Sequence, residues 1–146
     1  MSESPEAGLD PLRARLRALG LRATAPRLAV LAVLCAQRRP LAHDEVMTRL
    51  PSGGFDRASV FRVLADLAEA GLLRRMDLGD RVWRYEIEEA CATRDRAHAH
   101  FLCGDCGVAT CLPPLDLGAL LGVLPEGVAR GRVLEITGRC GGCLAS

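Results

Sequence analysis

Apolar residues in the first half of the chain recur at the three- and four-residue spacing that is typical of amphipathic helices. Four segments have this spacing and are predicted to be helices: residues 9–19, 25–37, 42–50 and 57–70. Thr24 and Asp56 stand where the second and fourth helices need an N-cap residue, and Gly71 stands where the fourth must end. The sequence therefore begins with a bundle of short helices.

A β-hairpin is predicted directly after the fourth helix. Residues 72–76 and 81–85 flank the segment Asp77-Leu78-Gly79-Asp80, which has the composition of a tight turn. Helices followed by a hairpin, in this order, predict a winged helix-turn-helix in residues 1–85.

The fourth helix has two faces of different character. Val60, Val63, Leu64 and Leu67 form an apolar stripe that we expect to face the core. Off that stripe lies a second set of residues near the start of the helix: Arg57, Ser59, Phe61 and Arg62. In a major groove, such an aromatic side chain can contact a thymine methyl group, and the flanking arginines can bind guanine or phosphate. The alternative is that Phe61 packs against the neighbouring helix.

The second half of the 146-residue chain differs in charge. Residues 1–85 carry 14 Arg against 10 acidic residues, whereas residues 86–146 carry 5 Arg against 8 acidic residues. We expect a hinge at about residues 77–92 and a second domain over residues 93–146. Strands are predicted at 100–102, 108–112 and 132–137, with a helix at 115–124. A domain this small is marginal for a core of its own, so a metal or a partner subunit is expected to stabilise it.

Two C-x-x-C pairs lie in this second half, at Cys103/Cys106 and Cys140/Cys143. Four thiolates complete a tetrahedral structural zinc site, and the neighbouring glycines permit the turns that bring the sulfurs together. A pair of disulfides is the alternative. The first ten residues contain no apolar run and no basic segment, so we expect a cytoplasmic protein in which thiols stay reduced.

Taken together, these motifs resemble the ferric uptake regulator family of dimeric, metal-sensing transcription factors. The segments that carry the resemblance are GLRATAPR (20–27), RASVFRVLADLAEAGLL (57–73), WRYE (83–86), HAHFLCGDCG (98–107) and GRCGGC (138–143). The resemblance implies an α+β fold with an N-terminal winged helix-turn-helix and a small zinc-stapled α/β dimerisation domain. It implies a homodimer that binds palindromic double-stranded operator DNA, with no enzymatic activity, small organic substrate or membrane association.

The resemblance also assigns roles to residues. Arg22 and Arg27 correspond to DNA-backbone or minor-groove contacts, and Ser59, Phe61 and Arg62 lie on the recognition helix. The structural zinc site falls on the four cysteines of the two C-x-x-C pairs.

The sensory site of the family lies at His98 and His100, an H-x-H pair whose side chains share one side of a strand. A zinc-sensing branch implies Asp77 and Cys91 as the remaining ligands, with Cys111 able to replace one of these. Thiolate and imidazole favour Zn(II) over Fe(II) and Mn(II). Glu86 corresponds to an iron-type ligand, so an iron-, manganese- or peroxide-sensing protein remains the alternative.

The expected function is therefore that of a zinc-dependent repressor of metal-uptake genes, holding one structural Zn(II) and a second regulatory metal. Two more distant interpretations are a zinc hydrolase and a zinc-ribbon adaptor. The first would need a general base beside the metal ligands, and the second would leave the winged helix without a role.

Overall fold

The structure is a computed structural model that describes residues 9–88, 99–113 and 135–146. The chain divides into two compact units, Met1–Ala90 and Cys91–Ser146.

Four helices build most of the first unit: α1 (Asp10–Ala18), α2 (Ala25–Gln37), α3 (His43–Arg49) and α4 (Arg57–Glu69). All four lie where the hydrophobic spacing predicts them. Asp56 caps α4, because its carboxylate accepts a hydrogen bond from the Ser59 N–H. Gly71 follows the helix with φ +80°, a conformation that a residue with a Cβ adopts only with strain. Thr24 occupies the N-cap position of α2, but its side chain makes no capping bond.

The predicted hairpin is formed by β2 (Leu73–Asp77) and β3 (Trp83–Ile87), which pair antiparallel. A two-residue strand, β1 (Leu41–Ala42), pairs with the other side of β3, so the sheet order is β1-β3-β2. Hydrophobic spacing did not predict β1. The β2–β3 hairpin follows the helices as the wing follows a helix-turn-helix, and the winged fold is confirmed.

One apolar cluster joins the elements of the first unit. It contains Leu12 and Leu16 of α1, Leu31 and Leu34 of α2, and residues of α3, α4 and the wing sheet. The predicted inward stripe of α4 belongs to it, since Val60, Leu64 and Leu67 are fully buried and Val63 is packed against the cluster. Burial of these side chains fixes α4 against α2 and leaves the opposite face of α4 open to solvent.

The described part of the second unit is a three-stranded sheet. Its strands are β4 (His100–Cys103), β5 (Ala109–Cys111) and β6 (Glu135–Gly138), in the order β5-β4-β6. β5 is antiparallel and β6 parallel to β4. A short helix, α5 (Gly141–Leu144), follows β6 and was not predicted. The predicted helix at 115–124 lies outside the described residues. Together the two units give the α+β fold that the sequence predicts.

None of the helices in the described ranges has the length and apolar character that crossing a membrane requires.

Candidate metal centre and nucleic-acid interface

The sheet of the second unit brings the two C-x-x-C pairs to one edge. β4 ends at Cys103, which is in register with Gly138, the last residue of the parallel strand β6. Two residues later the chain reaches Cys140, and the first turn of α5 returns Cys143 towards the same edge. A turn through Gly107, whose φ is +71°, returns the chain after Cys106. Parallel pairing of β4 and β6 is therefore what makes the cysteine pairs meet.

The four sulfur atoms of Cys103, Cys106, Cys140 and Cys143 all lie within 4.8 Å of one another. The Cys106 and Cys140 sulfurs are 3.7 Å apart, and all four thiols are free rather than joined as disulfides. A tetrahedron with Zn–S bonds of about 2.3 Å has S···S edges of about 3.8 Å. The donor set and its spacing therefore fit a structural zinc ion.

Hydrogen bonds within this cluster shift the pKa values of its thiols in a way that favours a bound cation. The N–H groups of Cys106 and then Cys140 stabilise the Cys103 thiolate and lower the pKa of that thiol to about 6. Hydrogen bonds with the Cys140 and Cys106 sulfurs raise the pKa of Cys143 to about 12. One thiolate thus forms readily, and deprotonation of the last thiol needs a nearby positive charge, which a dication supplies.

An ion pair links the two cysteine pairs beside the sulfurs. Arg139 Nε lies 2.5 Å from Asp105 Oδ2, and its Nη2 donates to the Cys143 carbonyl at 3.0 Å. Asp105 stands between Cys103 and Cys106, and Arg139 precedes Cys140. The sequence analysis missed this contact, because residues 34 positions apart give no local signal of pairing.

His100 and Cys111 face each other across β4 and β5 as register partners. Directly opposed residues of an antiparallel pair project on the same side of the sheet. A ring nitrogen of His100 and the Cys111 sulfur lie within 4.8 Å of each other. His100 is buried and Cys111 is half-buried. The pair offers a nitrogen and a sulfur donor to one metal ion.

The other predicted sensory ligands are placed as follows. Cys91 and His98 lie outside the described residues. Asp77 ends β2, and its Oδ1 accepts hydrogen bonds from the N–H groups of Gly79 and Arg81 at 2.9 and 3.1 Å, so it organises the wing turn. Glu86 is buried in β3, opposite Arg74, with 3.7 Å between its Oε1 and Arg74 Nη1.

The open face of α4 carries the residues predicted to read DNA. The Phe61 side chain is 56% exposed, and its ring meets the His43 ring in a T-shaped arrangement, with 6.2 Å between the ring centroids. Arg57 and Arg62 are exposed on the same helix, and Arg22 is exposed before α2. Phe61 is therefore an exposed aromatic side chain on a basic helix face rather than a core residue.

Two predicted DNA contacts have structural partners within the unit. Arg27 donates to the Arg22 carbonyl at 3.0 Å and pairs with Asp66 of α4 at 3.2 Å, so it ties α2 to α4. The Ser59 hydroxyl donates to the capping carboxylate of Asp56 at 2.5 Å. Both residues therefore help to position α4.

The chain matches known proteins over most of its length. The model of the ferric uptake regulator family matches residues 18–111. The ferric uptake regulation protein of Cupriavidus metallidurans is 34% identical over 100 residues, which are 66% of each chain. The chain thus spans just under two thirds of the length of this curated relative.

Solved structures share the fold. The ferric uptake regulator of Vibrio cholerae superposes with a TM-score of 0.66 at 24% identity, covering 88% of this chain and 99% of that one. A zinc uptake regulator complexed with zinc and DNA superposes with a TM-score of 0.61 at 18% identity, covering 99% and 97% of the two chains. On the family match to residues 18–111, this chain belongs to the ferric uptake regulator family.

Proposed function

We propose that this protein is a metal-responsive transcriptional regulator that binds double-stranded operator DNA as a homodimer. The observation that supports this most directly is the open face of α4, where Phe61 is exposed between Arg57 and Arg62. In a helix-turn-helix the N-terminal residues of the second helix enter the major groove. The zinc uptake regulator that shares this fold was solved in complex with zinc and DNA, which supports the proposal.

The proposed domain organisation follows from this. Residues 1–85 bind DNA, residues 93–146 form the dimer, and the hinge runs through about residues 77–92. The four cysteines hold a structural Zn(II) that stabilises the dimerisation domain. A palindromic operator then presents one half-site to each winged helix.

We propose that the sensed metal is zinc and that the protein represses metal-uptake genes. His100 and Cys111 supply an imidazole and a thiolate on one side of the second sheet. This donor pair favours Zn(II) over Fe(II) or Mn(II), which prefer carboxylates. Cys91 and His98 complete four ligands, with Cys111 in place of Asp77, because Asp77 Oδ1 already holds the wing turn.

Metal binding at these residues acts by population shift. Cys91 lies in the proposed hinge, so a metal that joins it to β4 and β5 favours the DNA-binding arrangement of the dimer. Without metal, DNA affinity falls with the fraction of competent conformers. Couplings of this kind amount to about 1–3 kcal/mol.

Metal content and DNA affinity, measured together, test the proposal. Protein isolated without chelator is expected to contain two zinc ions per chain. Mild chelation should remove one of them, and the affinity for DNA fragments selected from a random pool should be lost at the same time. Cys111→Ser should lower the affinity for the second zinc ion and reduce zinc-dependent DNA binding. Cys35→Ser is the matched control, since Cys35 is another half-buried thiol but lies in α2 of the first unit.

A second candidate function is iron or manganese sensing within the same family. Glu86 favours it, because a buried carboxylate is a hard ligand. Under this alternative, Fe(II) or Mn(II) would restore DNA binding after chelation and zinc would not. Glu86→Gln would then weaken the response, and Cys111→Ser would leave it unchanged.

A further inference from the structure

Four side chains join the start of α3 to the start of α4, and we call them the Asp44 cluster: His43, Asp44, Arg57 and Phe61. The Asp44 carboxylate forms an ion pair with the Arg57 guanidinium. His43 Nε2 forms a hydrogen bond with the Arg57 carbonyl oxygen at 3.0 Å, and the His43 and Phe61 rings meet in a T-shaped arrangement. The cluster therefore fixes Arg57 and Phe61 relative to each other at the end of α4 that enters the groove in a helix-turn-helix.

Asp44, Arg57 and Phe61 of the cluster are exposed, whereas His43 is half-buried. The side chain of Asp44 is 77% exposed and that of Arg57 is 66% exposed. An exposed ion pair contributes little to the free energy of unfolding. Stability therefore does not explain the Arg57–Asp44 pair.

The Arg57–Asp44 pair also weakens a simple attraction to DNA. A neutralised arginine releases few counterions from the phosphate backbone, so it adds little to sequence-independent affinity. Only one nitrogen, Nη2, is engaged by Asp44. A guanidinium has five N–H donors in a rigid fork, so donors remain for the O6 and N7 atoms of a guanine.

We propose that Asp44 is a specificity-determining residue of the DNA-binding surface. It holds the Arg57 guanidinium in one orientation for a guanine and cancels its attraction to phosphates. The ordering of a long side chain is then complete before DNA arrives, and wrong sequences gain nothing from the charge. This inference rests on the proposed function, since it requires that α4 reads DNA.

The test compares two duplexes, one selected from a random pool by the metal-loaded wild-type protein and one with the selected bases scrambled. Affinities are measured by fluorescence anisotropy over a range of salt concentrations. In Asp44→Asn, we expect binding to the scrambled duplex to tighten a few-fold. The slope of log K against log salt concentration for this duplex should steepen by about one unit. The preference for the selected duplex should fall by about tenfold.

Two further variants locate the effect. Glu69→Gln is the charge control, because it removes one exposed negative charge from the far end of the same helix. Arg57→Gln should lose the preference for one guanine of the selected site. Replacing that base by 7-deazaguanine, which lacks the N7 acceptor, should weaken DNA binding by the wild type but not by Arg57→Gln. Adding Asp44→Asn to Arg57→Gln should then tighten binding to both duplexes by the same factor and leave the preference unchanged.

The outcomes separate this inference from the proposed function. If the wild type selects no sequence in any metal-loaded state, both fail together. If the wild type selects a sequence but Asp44→Asn changes both affinities by the same factor as Glu69→Gln, DNA binding stands and the role of Asp44 is overturned.

Discussion

In the first unit, side chains from four helices and the wing sheet meet in one apolar cluster, whereas in the described part of the second unit the strand ends meet at four cysteine sulfurs. The first arrangement draws on many contacts of similar strength, and the loss of one weakens it in proportion. The second depends on four ligands that bind one metal ion together, because loss of one thiolate leaves the tetrahedral coordination incomplete. The two units should therefore respond differently to single substitutions.

The largest expected effect follows loss of the metal site. Cys103→Ser, or removal of zinc by a strong chelator, should unfold the second unit, because structural zinc contributes roughly 10–16 kcal/mol of apparent binding free energy. Hydrogen exchange should show lost protection in residues 99–113 and 135–146, with α2 and α4 still protected. Cys35→Ser is the control: burial raises the pKa of the Cys35 thiol, which stays protonated and inert. Protection that survives in residues 99–113 would show that the metal is not structural.

The matching substitution in the first unit is Leu64→Ala. Leu64 is fully buried in the apolar cluster, so its truncation should lower the free energy of unfolding of that unit by about 2–5 kcal/mol. Zinc content per chain should stay the same. Leu19→Ala, at a leucine that is 47% exposed, is the control and should change unfolding by less than about 0.5 kcal/mol. Loss of zinc from Leu64→Ala would contradict the separation of the two units.

The same difference explains what the sequence could predict. Helices and the wing hairpin follow from hydrophobic spacing, which many residues share, so α2, α4 and the β2–β3 pair were found. The strand β1 has only two residues and no period to detect. The helix α5 begins with Gly-Gly, a composition that disfavours a helix, and forms as the turn that returns Cys143 to the sulfur cluster.

Site residues follow the same rule. The four cysteines were predicted because each pair has a ligand spacing that is visible in the sequence. The pairing of His100 with Cys111 depends on the register between β4 and β5, which the sequence does not encode locally. The contact of Asp44 with Arg57 depends on how the loop between α3 and α4 folds, and 13 positions separate the two residues.

The next largest effect on unfolding is expected at the Arg84–Asp80 ion pair of the wing. The Arg84 side chain is buried and bonds both carboxylate oxygens of Asp80, at 2.8 and 2.7 Å. Asp80→Asn should lower the free energy of unfolding by about 2 kcal/mol, since it removes the carboxylate charge that accepts two hydrogen bonds from a buried guanidinium. Asp10→Asn breaks the exposed pair with Arg13 and should cost less than about 1 kcal/mol.

The pH dependence of unfolding checks the same pair. The hydrogen bond from Arg84 lowers the pKa of Asp80 in the folded protein. This carboxylate therefore stabilises the fold above its unfolded pKa of about 3.9, and that stabilisation is lost as the pH falls through the lower folded value. Wild type and Asp80→Asn should differ by a constant amount above about pH 5 and converge below about pH 4. A gap that persists in acid would mean that the lost charge is not the cause.

The smallest expected effect concerns the Arg139–Asp105 ion pair, which lies beside the cysteine ligands. Both side chains are about half exposed, so their pairing is worth at most about 1 kcal/mol, or up to about fivefold in a rate. Arg139→Gln should speed the transfer of zinc to a competing chelator by a few-fold. Asp105→Asn should do less, because Arg139 also donates to the Cys143 carbonyl.

The double substitution decides whether this contact acts as one unit. If Arg139 and Asp105 work through their shared ion pair, Arg139→Gln with Asp105→Asn should release zinc no faster than Arg139→Gln alone. Rates that multiply would show two independent effects on the cysteines. A rate unchanged in all three variants would mean that the thiolates and backbone N–H groups alone hold the two C-x-x-C pairs together.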